Sequence, residues 1–260
     1  MNRVPVLMYH HVNLHKGDTV TVTPEVFERQ MEYLYRHGYR TLKADELISY
    51  IKGELILKEK GVVITFDDGW LDNYIYALPV LKKYRQNATI FIITDRIDRA
   101  SRKMGEIPSS IPTHKESKSL IQNGEDYRVV LSWDLVTEMI KGGLVEFYSH
   151  TREHKRCDQL SEDELVEELN ESKKVIEKML NRPCPYLCWP YGKHSNVAVN
   201  IAGRAGYKAI FTTDNGIVKT GSDPLSIKRI VVKDRVEWFK KSMLIYSNSI
   251  LSEIYLKVKK

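Results

Sequence analysis

Two short segments hold residues whose types and spacing suit hydrolytic chemistry. Thr65-Phe66-Asp67-Asp68-Gly69 sets two carboxylates side by side, an arrangement that repels itself unless a cation or proton is shared. Its plainer reading is an Asp-Gly turn with a helix cap. His150-Thr151-Arg152-Glu153-His154 sets two imidazoles four residues apart. On one helical turn they would share a face and could hold one metal ion; otherwise they are two solvated loop histidines. Glu153 does not directly follow the first histidine, so the metalloprotease HExxH pattern is not met. Taken together, one Asp and two His form a three-ligand set with positions left open for water, and the second Asp is free to act as a base on that water. Cys188-Trp189-Pro190-Tyr191-Gly192 brings a rigid proline and a glycine, and Tyr9-His10-His11 brings further imidazoles. Alone, the first is a turn and the second is scaffolding.

The elements that must position these residues are legible from periodicity. Apolar, β-rich runs cover Val4–Tyr9, Val62–Phe66, Thr89–Ile93, Val145–Ser149, Tyr186–Trp189, Lys208–Thr212 and Ile227–Val232. Most are continuous rather than alternating, as expected of strands covered on both faces. Helices alternate with them. One starts at Thr23-Pro24, one at Ser132, and one at Ser161, where Glu164 completes a capping box and Arg182-Pro183 ends the run. This alternation predicts a parallel sheet, open or closed as a barrel, and each motif falls at the C-terminal end of a strand, where such folds gather their sites. Residues 96–128 depart from the pattern. They are polar, with Pro108, Pro112, Ser109, Ser110 and Ser117, and read as a surface excursion without sustained apolar period.

The chain has 260 residues, 42% hydrophobic and 28% charged, enough for one large core without disulfides. Three cysteines, Cys157, Cys184 and Cys188, suggest neither a disulfide framework nor a zinc ribbon and read as packing residues. The apolar run at Val4–Tyr9 is too short for a signal-peptide core and no run is long enough to span a bilayer, so a cytoplasmic location is expected. The net charge of +6 lies wholly in Ser226–Lys260, with nine Lys/Arg against three Asp/Glu. A general nucleic-acid coat is excluded. In that tail Phe239, Met243, Tyr246, Ile250 and Ile254 recur at helical spacing, with Lys240, Lys241, Lys257, Lys259 and Lys260 towards the ends. The pattern predicts a basic amphipathic helix that covers the barrel, or one that meets an anionic membrane surface or a glycan-building partner.

With the motifs TFDDG, HTxxH and PYG in that order, the sequence resembles the polysaccharide deacetylases of the NodB-homology class, carbohydrate esterase family 4. The Leu131-Ser132-Trp133 entry, the Leu160–Leu180 helix, Ala205-Gly206-Tyr207 with Phe211-Thr212-Thr213, and Lys228-Arg229-Ile230 also match. Within the family it is most similar to the branch containing the deacetylases of poly-β-1,6-N-acetylglucosamine. The resemblance implies a distorted (β/α)7 barrel over residues 1–232; beyond it, the periodic tail predicts a helical extension over 233–260. It implies a hydrolase that removes N-acetyl groups from an N-acetylglucosamine-type sugar or polymer. Asp67 would be the general base, Asp68, His150 and His154 the ligands of one divalent metal, and the Tyr191 backbone N–H an oxyanion donor. Trp133, Pro190 and Tyr191 would line the substrate. Zinc is the default ion, with cobalt, nickel and iron also suited to one carboxylate and two imidazoles. Two departures stand out. Cys188 occupies the position where the family carries an arginine that orients the base, and no late histidine follows Ile227. His10, in an N-terminal Tyr-His pair, is therefore the expected general acid, with His11 its neighbour. The competing readings are a related amidase acting on a small cyclic amide or nucleotide-linked sugar, and a carbohydrate-binding relative without catalysis.

Overall fold

The computed structural model describes residues 3–103, 105–108 and 110–258. The N-terminal third comprises β1 (Val6–Tyr9), β2 (His11–Val12), β3 (Thr21–Val22), α1 (Pro24–Arg36), β4 (Tyr39–Thr41), α2 (Ala44–Lys52), β5 (Lys60–Phe66) and α3 (Leu78–Tyr84). The middle comprises β6 (Ala88–Ile92), α4 (Thr94–Arg102), α5 (His114–Gln122), α6 (Trp133–Lys141) and β7 (Val145–Ser149). There follow α7 (Glu162–Leu180), β8 (Tyr186–Cys188), α8 (Asn196–Arg204), β9 (Ala209–Asn215), β10 (Ile227–Val231), α9 (Val236–Ser247) and α10 (Ser249–Val258).

Seven strands close a ring. From β5 the parallel pairings run through β6, β7, β8, β9 and β10 to β1, and β1 pairs back onto β5 with Leu7 opposite Ile64. These are the seven strands expected from the apolar runs. Their continuous apolar character follows from double burial: Val62, Val63, Ile64, Ile90, Phe91, Phe147, Leu187, Ile210 and Phe211 are all inaccessible or nearly so. The barrel is distorted because some ladders are short, β7 meeting β8 only at Ser149 and Leu187. Strand β4 adds outside the ring, against the first half of β5, and β2 with β3 forms a small separate ladder. The polar residues of β4 and the two-residue lengths of β2 and β3 left no periodic signal.

Helix starts follow the caps. Ser132 Oγ accepts from Leu135 N, and Ser161 and Glu164 form the reciprocal capping box that opens the 19-residue α7. Two expectations are corrected. Residues 96–128 are largely ordered, since α4 buries Ile97 and Ala100 and a Thr113–Glu116 capping box starts α5. Both helices are too short to display a sustained period. The tail is two helices rather than one. Asn248 is extended, and its side chain accepts from the backbone N–H groups of Ile250 and Leu251, so a new helix starts there. Phe239, Met243 and Tyr246 on α9 are buried in the core, whereas Ile250 and Ile254 on α10 are 69% and 57% exposed. Lys259, Lys260 and the Lys257 side chain, expected to mark the end of the tail, lie outside the described residues. No helix among the described residues is long and apolar enough to cross a membrane.

Candidate active site

The ring strands are parallel, so their C-terminal ends share one rim. Beyond β5 the chain turns sharply at Asp68 (φ 74°) and Gly69 (φ 73°). Beyond β7 the expected helical turn at 150–154 does not form, because Thr151 (φ 65°) and His154 (φ 66°) hold an irregular loop. That loop still brings both imidazoles to one carboxylate. Asp68 Oδ1 lies 3.5 Å from His150 Nε2 and 3.2 Å from His154 Nε2. The Nδ1 of His150 lies 2.8 Å from the Cys188 carbonyl and donates to it, which turns the lone pair of Nε2 towards Asp68. Asp68 Oδ2 accepts from the Trp70 indole at 3.0 Å, while the buried Oδ1 has no hydrogen-bond partner.

The charge states suit a cation. Burial drives His154 down to about 3 and lowers His150 as well, so both are neutral bases at pH 7. Burial alone would raise Asp68, but His154, His10 and His150 hold it well below the ordinary carboxylate range. One anionic oxygen and two imidazole nitrogens therefore converge with no proton to share. A divalent metal fits that donor set.

Asp67 is 2% exposed, yet it is ionised. Burial pushes its carboxyl up, and the Arg229 guanidinium more than reverses this. The pair is bidentate, Nη1 to Oδ1 at 2.7 Å and Nη2 to Oδ2 at 2.8 Å. Arg229 also donates to Thr65 Oγ1 and to the Thr212 carbonyl, and its Nη2 lies 3.0 Å from Cys188 Sγ. Arg229 thus reaches Asp67 from β10, and Cys188 lies beside the pair. The sequence pattern alone does not assign Arg229 this role. The available signal was a charged residue inside the apolar run Ile227–Val231. All three cysteines are free and buried.

His10 follows β1 with its side chain 21% exposed and Nε2 3.8 Å from Asp67 Oδ2. Asn73 Nδ2 donates to the His10 carbonyl at 2.9 Å. Tyr191 (φ 57°) is 56% exposed, and its ring centroid lies 4.6 Å from that of His154. Gly192 is required beside it, since a Cβ there would collide with Thr213 and φ is 66°. Pro190 is buried. Trp133, expected to line the substrate, is 6% exposed. Its indole donates to Asp98 and its backbone N–H to Ser101, so it ties α6 to α4. Among the described residues six non-glycine positions have positive φ, and Asp68, Thr151, His154 and Tyr191 are four of them. Such strain, about 1–3 kcal/mol at each position, concentrates where geometry serves function.

Comparison with known proteins agrees with this geometry. The polysaccharide deacetylase family profile matches residues 56–210, more than half of the chain. The Bacillus subtilis (strain 168) protein YxkH is 28% identical over 230 residues, 88% of this chain and 71% of its own length. The poly-β-1,6-N-acetyl-D-glucosamine N-deacetylase of Staphylococcus aureus is 29% identical over 224 residues, 82% of this chain and 68% of that protein. Among solved structures, the Streptococcus pyogenes deacetylase PplD in complex with acetate superposes with a TM-score of 0.77 at 28% identity, covering 93% of this chain and 98% of that one. IcaB from Ammonifex degensii shares the fold, with a TM-score of 0.75 at 23% identity over 95% and 98% of the two chains. This chain belongs to the polysaccharide deacetylase family.

Proposed function

We propose that this hydrolase removes N-acetyl groups from an N-acetylglucosamine-type polysaccharide, using Asp67 as base, His10 as acid and a metal held by Asp68, His150 and His154. The observation that carries this reading is the juxtaposition of the unpartnered Asp68 Oδ1, facing two neutral imidazoles, with an Asp67 kept ionised by Arg229. A divalent ion in that set, zinc on this reading, would polarise the acetyl carbonyl and acidify a water molecule. Asp67 takes the proton of the attacking water as its oxygen adds to the acetyl carbon. The Tyr191 backbone N–H steadies the negative oxygen that results. His10 delivers a proton to the departing amine nitrogen, and acetate is released. Tyr191 and Pro190 border the sugar.

Metal analysis of the purified protein, coupled to an acetate-release screen across N-acetylated saccharides from monomer to polymer, tests the reading. Zinc at one equivalent and acetate from polymer or oligomer are expected. A metal-loaded protein that releases no acetate from any of them sinks it, and cobalt, nickel or iron in the site revises the ion alone. His10→Ala is expected to abolish turnover with metal content intact.

Residues 1–232 carry all of this chemistry, and we read 233–260 as an attachment that brings the enzyme to an anionic membrane or a glycan-building partner. Lys240 and Lys241 and the exposed Leu244, Ile250 and Ile254 support that reading. Replacing the three apolar residues with serine should release the protein from anionic vesicles without changing acetate release. Unchanged binding overturns it.

A further inference from the structure

The excursion between β6 and α6 meets the rim through a histidine pair, His11 buried and His114 half-buried. His11, inaccessible on β2, lies with Nδ1 2.6 Å from Asp72 Oδ2 and Nε2 2.9 Å from His114 Nδ1. The contact with Asp72 orients the His11 ring, and one imidazole of the pair donates to the other. His114 is the first residue of α5, and burial, followed by the proximity of His11, pushes it down to about 4. A second tie to the excursion runs from Asn13 Nδ2 to the Pro112 carbonyl at 3.1 Å.

This cluster touches the site twice. The His11 ring lies against the Trp70 indole, centroids 4.2 Å apart and planes 30° from parallel, and that indole holds Asp68 Oδ2. Asp72 Oδ1 accepts from Asn73 Nδ2, the same amide that holds the His10 carbonyl. One contact path thus leads from α5 to a metal ligand and another to the acid.

We propose that His114, His11 and Asp72 form a positioning unit through which the docked excursion sets the orientation of Asp68 and His10. The proposal rests on the functional reading above and assigns the excursion a part in it. If the excursion merely walled the cleft, losing His114 would alter substrate affinity alone. If it positions, the loss reaches the metal ligand and the acid. Outer partners of metal ligands typically change metal affinity or activity about 10–100-fold, and a partner one step further out belongs at the low end.

The test uses full-length protein stripped of metal by chelator and titrated with Zn²⁺, alongside steady-state acetate release by the loaded enzyme. His114→Ala should weaken zinc binding about tenfold and lower kcat about tenfold, with KM within about twofold of the parent. His114→Asn, whose amide can still hydrogen-bond His11 Nε2 as donor or acceptor, should recover most of both losses. Trp70→Phe keeps an aromatic ring against His11 but removes the bond to Asp68. In that background His114→Ala should change zinc affinity less than about twofold, since the path is already cut. A change in KM alone, an Asn variant no better than Ala, or fully additive effects of the two substitutions on zinc affinity would each overturn the proposal. Parent protein that binds no zinc would instead overturn the metal reading beneath it.

Discussion

Two buried carboxylates at opposite ends of the barrel meet opposite fates. Glu146, near the start of β7, is pushed up by burial; the Ala44 N–H and Thr89 hydroxyl that donate to it, at 2.7 and 2.9 Å, offset this only in part. Asp67, just past β5, is equally removed from water but is driven down by a bidentate arginine. Nearby, Arg40 spreads its charge over Glu46 and Glu59 in solvent. One end is built from hydrogen bonds and exposed ion pairs that hold the fold together. The other concentrates buried charge, an unpartnered oxygen and left-handed backbone. That division fits a barrel whose strand C-termini carry function and whose strand N-termini carry stability.

Substitutions at the two ends should therefore separate activity from stability. Asp67→Asn should cut acetate release about 10²–10⁴-fold with zinc content retained, and also lower stability because it leaves the buried Arg229 without its anion; loss of zinc instead would make Asp67 a ligand. Arg229→Ala strands a buried carboxylate, so urea denaturation should show a loss of about 3–5 kcal/mol. Surviving enzyme should also show the acidic limb of kcat/KM moved to higher pH, because Asp67 no longer has its cation. An unmoved limb would remove Asp67 from the base role.

The pH dependence of stability should also differ between the ends. Asp67, with its folded value depressed, stabilises the fold above about pH 4, and that contribution is lost as pH falls through the folded value. Glu146, with its folded value raised, has the opposite sign: stability declines as pH rises from about 4.3 through that value. Glu146→Gln should remove this decline while changing neutral-pH stability by about 1 kcal/mol or less and leaving kcat alone. A steeper decline would contradict the assignment. The smallest effect belongs to Arg40→Ala, about 0–1 kcal/mol, shrinking further in high salt and invisible to acetate release.

The ring strands, and the three residues that converge as candidate metal ligands, were legible because each is written locally, as an apolar run or as a short motif at its end. The way the ligands are held was not. Four-residue spacing of His150 and His154 suggested a helical turn, whereas left-handed backbone at Thr151 and His154 achieves the convergence. Nor was the partner of Asp67 legible, because Arg229 is 162 residues away and meets it only through ring closure. Trp133 is expected to line the substrate, and the sequence does not show that its indole donates to Asp98 on α4, 35 residues earlier. In the tail, apolar periodicity ran correctly to Tyr246 and then misled, because Asn248 restarts the helix with a different face turned to solvent.

Ring closure has a temporal consequence. His10 leaves the first ring strand, Asp67 the second and Arg229 the last, and β1 pairs directly with β10. His10, Asp67 and Arg229 therefore meet only when the two ends of the barrel have found each other, a pairing of high sequence separation and hence slow to form. A nascent or clipped chain that ends before β10 has Asp68, His150 and His154 yet lacks the cation that keeps Asp67 ionised. Hydrolytic competence should consequently be the last property a refolding molecule acquires, trailing secondary structure, and its onset is a clock for the final strand.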